Sequence, residues 1–225
     1  MIMRLRFGVV LGVLAVSGIP AIGDDPSLAP APPGVRPLNV LSEFPTEPEA
    51  YEGATAALVR ERVPERYGLE EWEAVVLTHE FHQHIGIYTV LGAKMAVRAR
   101  EVLDAPMRAV AVTAETGSGQ PLSCMLDGLQ VGLGSTLGQN LIRVPEKEKG
   151  EVAAQFTYKE RTIRLSLKPE YQERIGQLIQ VARAHYGDLT PAYFHAVAHA
   201  SYGVWADFDR KEIFEVEEKS GRAKP

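Results

Sequence analysis

The chain has 225 residues, 45% hydrophobic and 24% charged, with a formal net charge of −5. That length suits one domain with a sizeable core, and the ordinary composition excludes a disordered or fibrous chain. Its scattered lysines and arginines and net acidity argue against nucleic acid as a partner, because a phosphate backbone is held by clustered cations.

Residues 1–23 have the form of a secretory signal peptide, with Arg4 and Arg6 ahead of an apolar run and a small-residue exit at Ala21-Ile22-Gly23. The apolar run is shorter than the roughly 20 residues of a spanning helix, so cleavage is expected, with no stable membrane span afterwards. The expected location is therefore periplasmic or extracellular; a retained anchor is the alternative. Residues 24–45, rich in Pro and Ala, read as an extended linker. An exported chain with one cysteine, Cys124, has no internal disulfide, which leaves that thiol inert, metal-bound, catalytic or paired across a dimer.

From Glu47 the apolar spacing is helical, through Ala54, Leu58 and Val59, and Pro64 is expected to end the run. A second helix opens at Leu69, with Trp72, Val75, Val76 and His79 recurring every three or four residues. Gly86 interrupts the pattern, which resumes through Tyr88, Leu91 and Met95. Gly92 inside that helix signals close approach of another backbone. A strand is expected over 107–115, a loop over 116–121, a short helix over 122–132 and a turn-rich stretch over 133–139. Further strands are expected over 141–144, 151–158 and 162–167, the last two joined as a hairpin through 159–161. Helices over 170–185 and 191–205, a short extended segment and a polar tail, 219–225, close the chain. Helices at both ends of a mixed or antiparallel sheet give an α+β class, with 46–218 as a single domain.

Three of the six histidines, His79, His82 and His84, fall within six residues. His79 and His82 share a helix face, and His84 converges on them only if the helix ends after His82. Imidazole is the commonest metal ligand. The segment lacks the HExxH spacing of zinc proteases, since Gln83 stands four residues after His79. The alternative is a packed, hydrogen-bonded His79 beside a helix-capping histidine. Cys124 and Asp127 lie three apart at the start of a helix, whose N-terminus favours thiolate. With two histidines they complete a zinc-like set or leave one position for water. His195 and His199 form a second helical pair, without an acidic or thiol neighbour.

The segments Phe81-His82-Gln83-His84-Ile85-Gly86, Leu91-Gly92-Ala93-Lys94-Met95-Ala96, Ser123-Cys124-Met125-Leu126-Asp127-Gly128-Leu129-Gln130 and Gly134-Ser135-Thr136-Leu137-Gly138-Gln139-Asn140-Leu141 resemble, in order and spacing, those of the FmdE family of formylmethanofuran dehydrogenase proteins. With the closing Glu212-Ile213-Phe214-Glu215-Val216, the likeness runs over roughly residues 70–218. The resemblance implies an α+β domain, often a homodimer, with a cleft for a divalent metal, most simply zinc. His82, His84 and Cys124 would be its metal residues and Asp127 would stand beside them, with Cys124 and Asp127 the catalytic candidates. Ser135, Thr136, Gly138 and Asn140 would line the cleft as binding residues for an unknown small molecule. Gln83 and Gly86 depart from the family, where glycine and often cysteine stand, and a C-terminal cysteine module of some members is missing. Two other functions fit the same residues: a thiol enzyme with Cys124 as nucleophile and a histidine as base, or an accessory protein for a periplasmic metal or redox complex.

Overall fold

The computed structural model describes residues 62–145 and 150–219, all within one compact unit. The expected leader, the linker, the helical stretch before residue 62 and the last six residues lie outside the described part. Residues 62–67 are helical, and Pro64 lies inside that turn instead of ending it. The Pro64 carbonyl accepts from Gly68 N at 3.0 Å, and the break falls at Gly68, whose φ of 85° suits a residue without Cβ.

Helix α1 spans Leu69–His82 and buries Trp72, Val75 and Val76; left-handed Gln83 terminates it. Helix α2, Ile87–Leu103, begins at Gly86, where the Thr89 hydroxyl accepts from Gly86 N at 3.1 Å and donates to Gly86 O at 2.7 Å. It is buried along most of its length, so it is the central helix of the domain. Strand β1, Ala111–Ala114, is shorter than the expected 107–115. Arg108 is left-handed, at φ 65°, and its N–H bonds Leu133 O at 2.7 Å, so the chain before Ala111 turns against a neighbouring helix end.

A 3-10 turn, Leu122–Cys124, leads into helix α3, Met125–Leu133, which stops at left-handed Gly134. Strands β2 (Ile142–Arg143), β3 (Ala153–Tyr158) and β4 (Arg161–Leu167) follow, then helices α4 (Pro169–Tyr186) and α5 (Pro191–Asp207) and strand β5 (Phe214–Glu218). Arg161 pairs with Tyr158, so the β3–β4 turn is tighter than expected, with left-handed Lys159 absorbing the reversal.

The sheet order is β2-β1-β3-β4-β5, with β1 and β2 parallel and the other neighbours antiparallel. The α+β architecture with a mixed sheet is as expected from the order of elements along the chain. Registered rows Val112–Phe156–Ile163 and Ala114–Ala154–Leu165 are buried, while the alternating row Thr113–Gln155–Arg164–Glu217 is polar. One face of the sheet therefore carries the core and the other meets solvent.

Glycines set the distance between α2 and α3. A Cβ on Gly92 would fall on the Met125 carbonyl and lie 3.0 Å from its carbon, and one on Gly128 would lie 2.8 Å from Gly92 C. A Cβ on Gly132 would lie 2.6 Å from that of Ala96. The two backbones are thus in direct contact, as Gly92 suggested.

A buried ionic cluster ties α1 and α2 to the turn before β5. Lys94 Nζ donates to Glu71 Oε1 at 2.5 Å, both side chains are fully buried, and Lys94 lies 4.2 Å from the Tyr67 ring centre. Arg210 donates to Glu71 Oε2 at 2.9 Å, to Glu101 Oε1 at 2.6 Å and to Tyr67 O at 2.9 Å. Burial lowers the Lys94 pKa against the pull of Glu71, and burial pushes Tyr67 up to about 12. Removing one member of such a cluster would leave a buried charge unpaired, at about 3–5 kcal/mol.

Candidate functional site

The site grows from the break between α1 and α2. Gln83, at φ 67°, ends the helix directly after His82, and the reversal brings the His84 ring back to 4.4 Å from the His82 ring, centre to centre. The close α2–α3 contact then carries the first turn of α3 to the same place. Asp127 Oδ2 lies 2.6 Å from His82 Nδ1. With the carboxylate accepting, Nδ1 is the donor, which in the neutral ring leaves the lone pair on Nε2. That Nε2 is buried and has no hydrogen-bond partner among the described residues.

His79 stands one turn back and meets the edge of Trp205 at 5.7 Å. Its Nε2 is also buried without a partner among the described residues. Burial, and then the neighbouring His82 and His84, push its pKa down to about 3, so it is neutral at ordinary pH. His84 is exposed and is lowered by partial burial and by His82. Burial raises the Cys124 thiol, and the Asp127 carboxylate raises it further. This opposes the thiolate stabilisation expected of a helix N-terminus, because burial first, and then the Asp127 carboxylate one turn away, both disfavour the thiolate.

The structure brings together His79, His82, His84 and Asp127, and it places Cys124 one turn before Asp127. The Ser135–Asn140 loop lies elsewhere: the nine residues of α3 rise about 1.5 Å each, so roughly 13 Å of helix separates the loop from the Cys124 end. Buried Ser135 donates to Val110 O at 2.7 Å. Thr136 and Gln139 cap each other at 3.2 Å, Gly138 sits inside that turn, and left-handed Asn140 ends it. These groups shape a loop with their own hydrogen bonds. His195 and His199 are exposed on α5. Neither the Glu71–Lys94–Arg210 cluster nor the His79–Trp205 contact is legible along the chain; the one signal is a lysine inside the apolar stretch Val90-Leu91-Gly92-Ala93-Lys94-Met95-Ala96-Val97.

Among the described residues, no group of three or more His, Cys, Asp or Glu side chains surrounds a common point as a finished metal site. The donor chemistry still suits part of one. A carboxylate on one ring nitrogen and a free, buried second nitrogen is the usual arrangement of a metal-binding histidine, and His84 stands beside it. Also among the described residues, no helix is long and apolar enough to cross a membrane.

Fold and site together define an α+β domain with an imidazole–carboxylate pair at a helix break. Residues 81–191 match the family described as FmdE, molybdenum formylmethanofuran dehydrogenase operon, and this part of the chain is an FmdE-family domain. The match begins one residue before His82 and takes in His84, Cys124 and Asp127 but not His79. A crystal structure of a tungsten formylmethanofuran dehydrogenase FmdE-like protein from Syntrophus aciditrophicus is 18% identical, covering 69% of this chain and 73% of its own, with a TM-score of 0.43. No curated protein matches the chain.

Proposed function

We propose that this FmdE-type domain binds a divalent, zinc-type metal through His82 and His84 and uses the site to bind or act on a small molecule. The observation that carries this reading is the buried His82 Nε2, without a partner among the described residues, opposite the 2.6 Å contact of its Nδ1 with Asp127. Asp127 fixes the tautomer and the ring orientation and makes the imidazole a better donor. Cys124 is the protein donor nearest in sequence to Asp127 for a third position, with water or ligand completing the set. When bound, such an ion supplies Lewis acidity toward a carbonyl, phosphoryl or water oxygen. His79, kept neutral by its surroundings, packs behind the pair against Trp205 and limits the movement of α1.

A metal-free reading has its own support. A histidine oriented by a carboxylate, with its second nitrogen free, is the general-base half of a catalytic dyad. The thiol version of that chemistry is disfavoured, because Cys124 is raised where a nucleophile needs to be lowered.

Metal analysis of protein purified without an affinity histidine tag, under anaerobic, zinc-replete conditions, separates the two. The expected result is bound metal in the wild type and none in His82→Ala, with Asp127→Asn weakened about 10–100-fold in chelator competition. A wild-type protein free of metal would overturn the metal reading and leave the dyad.

A further inference from the structure

We infer that the cavity between α4 and α5 is a second binding site, separate from the histidine–carboxylate pair, for a small amphipathic carboxylate. The cavity has a volume of about 300 Å³, at the small end of ligand sites. Leu178, Val204 and Phe208 are among its apolar lining residues, and Arg62, Arg174 and His199 are the basic side chains that line it.

The charges are arranged for an anion. Arg62 Nη2 is held by Asp207 Oδ1 at 3.0 Å, which ties residues 62–67 to the end of α5 beside the cavity. Arg174 has no ion pair or hydrogen bond with any described residue. Its guanidinium carbon instead lies over two aromatic faces, 4.8 Å from the Phe208 ring centre and 5.8 Å from that of Tyr171, and those two rings meet edge to face at 5.0 Å. A guanidinium held over aromatic rings, with no hydrogen-bond partner among the described residues, keeps its N–H groups for a bidentate acceptor, and a carboxylate fits them. Two guanidiniums against one carboxylate leave a net positive lining, while Leu178, 40% exposed, leaves apolar surface for the body of the ligand.

Gly203 offers a direct test of the cavity. It lies inside α5 and lines the cavity, and a Cβ there would meet nothing within 4 Å. At Gly92, Gly128 and Gly132 a neighbouring helix occupies the space, so packing explains those glycines. Gly203 is exposed, so a side chain placed there would extend over the cavity without meeting the protein, which makes it the position from which the cavity can be filled. Gly176 of α4 is equally open but does not line the cavity, which makes it a control.

The test is titration calorimetry on the full chain with 3-phenylpropanoate and its neutral counterpart 3-phenylpropan-1-ol. The acid is expected to bind and the alcohol to bind at least about tenfold more weakly, the usual scale of a charge-assisted contact. Arg174→Gln, at an exposed position that tolerates substitution, should lose the same factor. Gly203→Leu should abolish binding by filling the cavity, whereas Gly176→Ala and His82→Ala should leave the affinity unchanged. No heat with millimolar acid, equal affinity for acid and alcohol, or a Gly203→Leu protein that binds as the wild type does would each overturn the proposal. Should Gly203→Leu fail to fold, the acid–alcohol difference and Arg174→Gln decide it.

Discussion

Gly92→Ala is the sharpest probe of the contact that assembles the candidate site. The new methyl carbon would fall on the Met125 carbonyl oxygen and 3.0 Å from its carbon, with the Gly128 Cα at 3.1 Å. All three are backbone atoms, so no side chain can rotate away and α2 and α3 must separate. Carbon contacts settle near 3.5–4.0 Å, and overpacking of a tight core costs about 1–3 kcal/mol. The upper part of that range applies, because the obstruction is main chain. Replacing a helical glycine by alanine returns roughly 1 kcal/mol. The net expectation is a loss of about 2 kcal/mol, or roughly 4–8 °C in Tm for a domain of this size. Urea denaturation and thermal melting followed by circular dichroism measure it, and the movement of α3 should also loosen Asp127 from His82. A Gly92→Ala protein as stable as the wild type would refute the interlocked-helix account.

Acidification tests the environment of His79. Its folded pKa, near 3, lies below the unfolded value of 6.5, so the unfolded chain takes up the proton first. The stability is intact above pH 6.5 and declines as pH falls toward 3, by up to about 1.4 kcal/mol per pH unit from this group. Urea midpoints measured with chelator present should fall across that window, and His79→Phe should flatten the slope; an unchanged slope in the variant would count against the buried neutral imidazole. Cys124 should react with iodoacetamide more slowly at pH 8 than a free cysteine does, and Asp127→Asn should accelerate it by removing the nearby anion. Rapid alkylation of the wild type at pH 7 would restore the thiol-nucleophile reading.

Local features of the chain were legible without a fold. The apolar spacing from Leu69, the interruption at Gly86 and the alternation through β3 and β4 locate those elements, because helix and strand periods are written directly in the order of side chains. The histidine segment and Asp127 stood out for the same reason: ligand-type residues gathered at short spacing. Pro64 was misleading, since a proline fits within a helical turn wherever its missing N–H is not needed, and here Gly68 ends the helix.

What tertiary structure alone decided is which of these groups meet. Gly92 announced a close neighbour but could not name Gly128; their contact sets the α2–α3 distance and hence the reach of Asp127 to His82. Lys94 stands in an apolar stretch of sequence with no partner in view until Glu71, 23 residues away, pairs with it and Arg210, 139 residues from Glu71, completes the cluster. Cys124 was expected to be acidified by its helix, and its neighbours reverse the sign. Periodicity is a property of neighbours in sequence, whereas ionisation, coordination and cavity shape depend on neighbours in space. His82, His84 and Asp127 could therefore be nominated from the chain, and the pairing of His82 Nδ1 with Asp127 only from the fold.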